Sequence, residues 1–188
     1  MEKYQVGLVG CHRGTGLTRA FATHPQVEIA ALCDIQGDRV ADLNQHFHLP
    51  DSRLFTRFDD FVNADIDIVV IATPIEFHAD QSVAALEADK HVLCEHTVAY
   101  TVADCERVVN AVKRTGKQYM LAENSSYLQY TLDWKKLVDA GRLGMIYYAE
   151  GEYVHDITNL LIDPVTGERQ WRYSRAPIWY CVHCLGPL

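Results

Sequence analysis

Gln5-Val6-Gly7-Leu8-Val9-Gly10-Cys11-His12-Arg13-Gly14-Thr15-Gly16 opens the chain with an apolar run that ends in a cluster of glycines. The run Gln5 to Val9 reads as a strand covered on both faces, and the glycines read as a turn into a helix beginning near Leu17. Five more runs of this kind follow: Val27 to Cys33, a short one near Leu54-Phe55, Ile66 to Ala72, His91 to Cys94, and Gln118 to Ala122. Amphipathic segments separate them, which is the pattern of crossover helices in a parallel sheet. The expected fold class is α/β, a doubly wound parallel sheet of the Rossmann type over residues 1–122.

Two of the helices carry their own punctuation. Thr101-Val102-Ala103-Asp104 has the spacing of a capping box, and the apolar stripe Ala103, Val108, Val109 and Val112 ends at Gly116. His78 to Lys90 is expected to turn Val83, Ala84 and Leu86 inward. After Ala122 the rhythm changes. A helix from about Gln129 to Ala140 leads through Gly144 into a strand-like stretch, Ile146 to Val154, then a polar loop and an aromatic tail, Trp171 to Leu188. Residues 123–188 therefore read as the beginning of a second, incomplete α+β domain, because one helix and one or two strands bury too little to stand alone.

Composition limits the partners. Lys and Arg number 17 against 25 Asp and Glu, a net charge of −8 with neutral histidines. No basic excess is available to displace counterions from phosphates, so nucleic acid is not expected as a partner. The longest apolar run, Val6 to Cys11 with glycine counted, falls far short of the roughly 20 residues that span a bilayer, and the start lacks a signal region. No membrane partner is expected, and the localisation read from the sequence is cytoplasmic. Six cysteines are read as reduced thiols, since Cys11, Cys33 and Cys94 lie in or beside buried strands. Cys181-Val182-His183-Cys184 has metal-type spacing but lacks a second pair of ligands, so no metal site is expected.

Glycines at a strand-to-helix turn let the backbone approach a pyrophosphate, and the helix N-terminus offers it unpaired N–H groups. The spacing departs from the usual fingerprint: counted from Gly10, the second and third glycine positions hold His12 and Thr15. Asp34 follows 24 residues after Gly10 (34 minus 10), at the end of the second strand, where a carboxylate can accept from both adenosine ribose hydroxyls and repel a 2′-phosphate. NAD is therefore favoured over NADP, against the presence of Arg39, which could pair with that phosphate.

Three further segments, Ile71-Ala72-Thr73-Pro74-Ile75-Glu76-Phe77-His78, Ala84-Ala85-Leu86 and Lys90-His91-Val92-Leu93-Cys94-Glu95, resemble the Gfo/Idh/MocA family of NAD(P)-dependent sugar and polyol oxidoreductases. The resemblance implies a Glu-Lys-Pro turn after the strand His91 to Cys94. Here Glu95-His96-Thr97 stands instead, so a titrating histidine replaces a permanent cation. Ala122-Glu123-Asn124-Ser125-Ser126-Tyr127, the stretch Glu150 to Asp156, Trp171-Arg172 and Tyr180 to Pro187 look like a branch that includes NAD-dependent glycosidases of the α-N-acetylgalactosaminidase type.

Carried over residue by residue, the resemblance implies cofactor contacts from Gly10, Arg13, Gly14, Asp34, Thr73, Pro74, Ile75, His78, Glu95, His96 and Asn124. It implies a substrate face made of Tyr153, Arg172, Tyr180 and His183, with proton transfer by His183 first, then His155 or Tyr153, and His96 as a further catalytic candidate. The spacing of Tyr153 and His155 puts both on one face of a strand. The implied activity is hydride transfer between a sugar, sugar acid or polyol hydroxyl and NAD. Two alternatives stand beside it: a glycoside hydrolase using transient oxidation and elimination, and a non-catalytic NAD-binding protein. The expected partners are a small carbohydrate or polyol and a second copy of the chain, giving a homo-oligomer.

Overall fold

The computed structural model describes residues 3–174 and 181–188. Its internal contacts divide the chain into two compact units, Met1–Ala122 and Glu123–Leu188. The first unit alternates strands and helices: β1 Tyr4–Val9, α1 Cys11–Thr23, β2 Val27–Cys33, α2 Gly37–Asn44, β3 Leu54–Phe55, α3 Phe58–Phe61, β4 Ile68–Ile71, α4 His78–Glu87, β5 His91–Glu95, α5 Val102–Thr115 and β6 Tyr119–Ala122. All strand pairs are parallel, in the order β3-β2-β1-β4-β5-β6. This is the doubly wound Rossmann order, which reverses direction between β1 and β4 and opens a crevice at the carboxyl ends of those strands.

Successive residues of β4 show why the buried parts of these strands are nearly continuous in apolar residues. Val69 and Ile71 join Val9, Ala31, Cys33, Phe61 and Leu86 in one buried cluster, whereas Val70 joins Val6, Leu8, Leu32 and Leu43 on the other side of the sheet. Both faces are covered, so every second residue has a core to enter, each large side chain contributing about 1.5–3 kcal/mol relative to exposure.

The first turn differs from the sequence expectation. Helix α1 starts at Cys11, not near Leu17, so Gly14 and Gly16 lie inside it. Gly10 alone makes the turn, at φ +95°, and the Cys11 amide is held by the Asp34 carboxylate, Oδ2 at 2.9 Å. Helix α5 keeps its expected ends: the Thr101 hydroxyl accepts from the Asp104 amide at 3.0 Å, and Gly116 closes the helix at φ +70°. Its buried stripe is Val108 and Ala111, with Val109 and Ala103 outward, because the i, i+3 spacing faces the sheet. In α4, His78, Ala79, Ser82, Ala85 and Leu86 are the buried positions, and Val83 and Ala84 are only half-buried.

Helix α4 begins at His78, whose side chain is 1% exposed and lies between two loops, where the neutral ring donates to one carbonyl or the other. Its Nε2 lies 2.7 Å from the Thr73 carbonyl, after β4, and its Nδ1 lies 2.7 Å from the Thr97 carbonyl, after β5. Burial pulls the imidazole below its ordinary value, and it outweighs the two carbonyls and Glu95, which favour the charged ring.

The second unit holds a 3-10 turn at Asn124–Tyr127, then α6 Gln129–Asp139, α7 Thr158–Leu161, a further 3-10 turn at Trp171–Ser174 and α8 Val182–Leu185. The strand expected at Ile146 to Val154 is not formed: residues 146–154 have no ladder partner among the described residues, and the one bridge there joins Ile162 to Arg169. A strand sequence forms a strand only where another edge takes up its N–H and C=O groups.

Two stability measurements check this account. A Cβ on Gly10 would lie 2.5 Å from the Ala72 carbonyl, whereas one on Gly16 meets nothing within 4 Å. Chemical denaturation of Gly10→Ala is expected to show a loss of about 2–4 kcal/mol from left-handed strain and overpacking, and Gly16→Ala a gain of about 0.5–1 kcal/mol; equal effects would refute the turn assignment. For His78, a folded-state value below the unfolded one means stability that is complete above about pH 6.5 and is lost as the pH falls below it. The stability deficit of His78→Gln, about 1–3 kcal/mol at pH 8, should therefore narrow towards pH 5.5. A pH-independent deficit would contradict the burial argument.

Candidate functional site

The carboxyl ends of β1 and β4 meet at Gly10 and Ala72, close enough that no side chain fits between them. Directly above this contact α1 begins. Gly10 at its N-cap has no side chain and its first turn no acidic residue; Asp34 takes the Cys11 amide, and the rest of the first turn of this helix of 13 residues presents its positive end to a ligand anion. Gly14 is buried one turn on, where a Cβ would lie 2.5 Å from Leu8, so it sets the close approach of α1 to β1. These features fit a dinucleotide pyrophosphate: a backbone cradle, an open helix end, and a carboxylate at the neighbouring strand.

Asp34, 6% exposed, carries a second duty that sequence reasoning did not foresee. Its Oδ2 accepts from the Cys11 amide and its Oδ1 from the Gln36 amide, at 2.9 and 3.0 Å. Each carboxylate oxygen has another lone pair, which leaves acceptors for a ribose diol while the same group braces the turn. Burial, followed by the Asp34 charge, pushes the Cys11 thiol up to about 12, so this cysteine stays protonated and is no nucleophile.

Three more of the expected cofactor residues form a chain across the crevice. Glu95 pairs through Oε1 with Arg13 Nε at 3.0 Å, and its Oε2 lies 3.9 Å from His96 Nε2. The His96 side chain is mostly buried, and the peptide bond between His96 and Thr97 is cis. Thr73 donates its hydroxyl to Gln81 Oε1 at 2.6 Å, Pro74 and Ile75 lead into α4 half-buried, and His78 anchors this loop to Thr97 as described above.

The remaining expected residues belong to the second unit. Tyr153 and His155 meet as the spacing implied, although not on a strand: the Tyr153 hydroxyl is 3.3 Å from His155 Nδ1. The Tyr153 ring also packs on His183, with centroids 4.5 Å apart. His183, 8% exposed on α8, places Nδ1 2.9 Å from Glu123 Oε1. Asn124 is exposed at the start of its 3-10 turn, Arg172 is half-buried in the turn Trp171–Ser174, and Tyr180 lies outside the described residues. Glu123 is the functional residue that sequence reasoning missed. A carboxylate between the end of β6 and a polar turn reads as a surface group, and its partner stands 60 positions away. Among the described residues no group of three or more His, Cys, Asp or Glu is placed to hold a metal ion.

The comparisons agree with this geometry. Residues 4–123 match the Gfo/Idh/MocA oxidoreductase family, NAD-binding Rossmann fold. Over its whole length the chain is 33% identical to a glycosyl hydrolase family 109 protein of Shewanella pealeana, and it spans 44% of that relative. Among solved structures it is similar to scyllo-inositol dehydrogenase from Lactobacillus casei with bound NAD(H) and scyllo-inositol, at a TM-score of 0.71 and 26% identity, covering 76% of this chain and 43% of that one. It is also similar to the WlbA dehydrogenase from Bordetella pertussis in complex with NADH and UDP-GlcNAcA, at 0.70 and 28%, covering 78% and 45%. The crevice at the β1/β4 ends thus falls within the residues that carry the family likeness, 4–123, and the chain belongs to the Gfo/Idh/MocA oxidoreductases with an NAD-binding Rossmann fold.

Proposed function

We propose that this chain is the NAD-binding domain, residues 1–122, and the opening of the substrate domain, residues 123–188, of an oxidoreductase acting on a sugar, sugar acid or polyol hydroxyl. The observation that carries the reading is the crevice at Gly10 and Ala72, with Asp34 beside it and the first turn of α1 above it. Gly10, Arg13, Gly14, Asp34, Thr73, Pro74, Ile75, His78, Glu95, His96 and Asn124 are the residues assigned to NAD. The nicotinamide ring supplies the two-electron chemistry by accepting a hydride from the hydroxyl-bearing carbon.

The protein's part is orientation and the proton. His183 accepts the hydroxyl proton as the carbon becomes a carbonyl carbon, so the loss of one hydride and one proton balances the oxidation. Tyr153 and His155 stand next to it, and Arg172 and Tyr180 are assigned to substrate hydroxyls or a carboxylate. His96 lines the cofactor pocket beside Glu95, whose carboxylate is engaged by Arg13. The second reading, glycoside hydrolysis, is favoured by the family 109 likeness over the whole chain. There the same oxidation acidifies the adjacent C–H, the glycoside leaves by elimination, water adds, and the hydride returns.

A homo-oligomer joined through residues after about Gly144 is part of this reading. It is supported by the exposed apolar side chains Met145, Tyr147, Tyr148 and Val154. Six free thiols support the cytoplasm as its compartment.

Two measurements test the proposal. Calorimetry with both dinucleotides is expected to show NAD binding more tightly than NADP, and Asp34→Ala narrowing the difference while lowering stability by about 1–3 kcal/mol through the orphaned Cys11 amide. An unchanged ratio would move the discrimination to Arg39 or to the loop. A panel of polyols, sugars, sugar acids and glycosides assayed on the full gene product, following NADH and released aglycone together, should show net NADH. Aglycone without NADH would establish the hydrolase, and tight NAD binding without turnover the non-catalytic alternative. In the active case His183→Ala should cost more turnover than His96→Ala.

A further inference from the structure

We infer that Glu123 is the positioning residue that fixes which nitrogen of His183 accepts the proton, a step that rests on the base role given to His183 above. Glu123 is 6% exposed, and its Oε1 accepts from the Ser125 amide at 2.8 Å and faces His183 Nδ1 at 2.9 Å. Burial pushes the carboxyl up, but the His183 contact and the Ser125 amide outweigh it and leave the group below the usual carboxylate range. An ionised carboxylate only accepts, so the proton of this contact sits on Nδ1. In the neutral ring the lone pair then belongs to Nε2, since the bond made by one ring nitrogen sets the state of the other.

Three further observations bear on the same assignment. The Ser125 hydroxyl is 3.3 Å from Nδ1, too long to displace the carboxylate at 2.9 Å. The second oxygen, Glu123 Oε2, is buried with no hydrogen-bond partner among the described residues, so the carboxylate meets the Ser125 amide and the histidine through the same oxygen, Oε1. Its charge stabilises the imidazolium formed when Nε2 takes the substrate proton, which is what a carboxylate behind a catalytic histidine does elsewhere. Finally, Gly186 makes room for the pair, since a Cβ there would lie 2.8 Å from Glu123 Cγ. The Tyr153 ring, 4.5 Å from the imidazole centroid, packs against the ring itself.

The decisive measurement is the long-range 1H–15N spectrum of the 188-residue chain labelled at histidine, near pH 8, with the His183 signals identified by their loss in His183→Gln. Protonation on Nδ1 is expected in the parent, and an Nε2-protonated parent ring would overturn the inference with no variant needed. Glu123→Ala should change the tautomer ratio at least about tenfold towards Nε2–H, and Glu123→Gln, which keeps an acceptor oxygen, should hold Nδ1–H. An unchanged ratio in a folded Glu123→Ala protein would also overturn it. In the full gene product kcat should fall about tenfold to a hundredfold in Glu123→Gln, with KM and NAD affinity within about twofold, because charge is lost while shape is kept. Full turnover by His183→Gln would remove the base reading and the inference with it. An unchanged kcat in Glu123→Gln, with His183 still essential, would remove the inference alone.

Discussion

The close contact between Gly10 and the Ala72 carbonyl is the constraint on which the rest of the cofactor site depends. Two parallel strands, β1 and β4, end side by side there, and only a residue without a Cβ, in a left-handed conformation, turns the chain within a single step. The consequence is that α1 starts one residue after the strand, and its amides begin directly above the crevice. A longer turn would carry the helix dipole away from the only place where a pyrophosphate reaches both strand ends. The carboxylate of Asp34 holds the other side of the same turn, so one buried group both shapes the cradle and presents acceptors beside it.

Histidines do different work in the two units because their partners differ. His78 is packed between carbonyl oxygens of the loops after β4 and β5, and as a neutral ring it has one N–H to give them. His183 faces a carboxylate, which leaves its far nitrogen as the chemically useful one. His96 lies near a carboxylate too, but Glu95 is already engaged by the Arg13 guanidinium at 3.0 Å, against 3.9 Å to the histidine. The same side chain therefore has a different setting in each place, fixed by the charge and distance of what it meets.

Much of the first unit was legible in the amino-acid order. Buried parallel strands need apolar side chains on both faces, so Val27 to Cys33 and Ile66 to Ala72 stand out as nearly continuous apolar runs, interrupted only by Glu28 and Asp67, and Thr101 and Gly116 mark the ends of α5 by local chemistry. Less was legible where several glycines compete. Gly10, Gly14 and Gly16 look alike in sequence, yet one turns the chain, one packs a helix on a strand, and one faces open space. The stretch Ile146 to Val154 has strand-forming composition without a paired strand, because β-propensity measures packing against neighbours and not an intrinsic backbone preference.

The sequence by itself determined the class of fold, the alternation of strands and helices in the first unit, and the placement of Asp34 directly after β2, since each of these follows from local periodicity and from side chains near one another in the chain. Only the tertiary structure decided that α1 begins at Cys11, that Asp34 braces the turn, and that Glu123 stands behind His183, 60 residues apart. The reason is the range of the interactions. Capping, turning and face alternation are set within a few residues, whereas a buried carboxylate finds its partner only when distant segments are packed together and water is excluded between them.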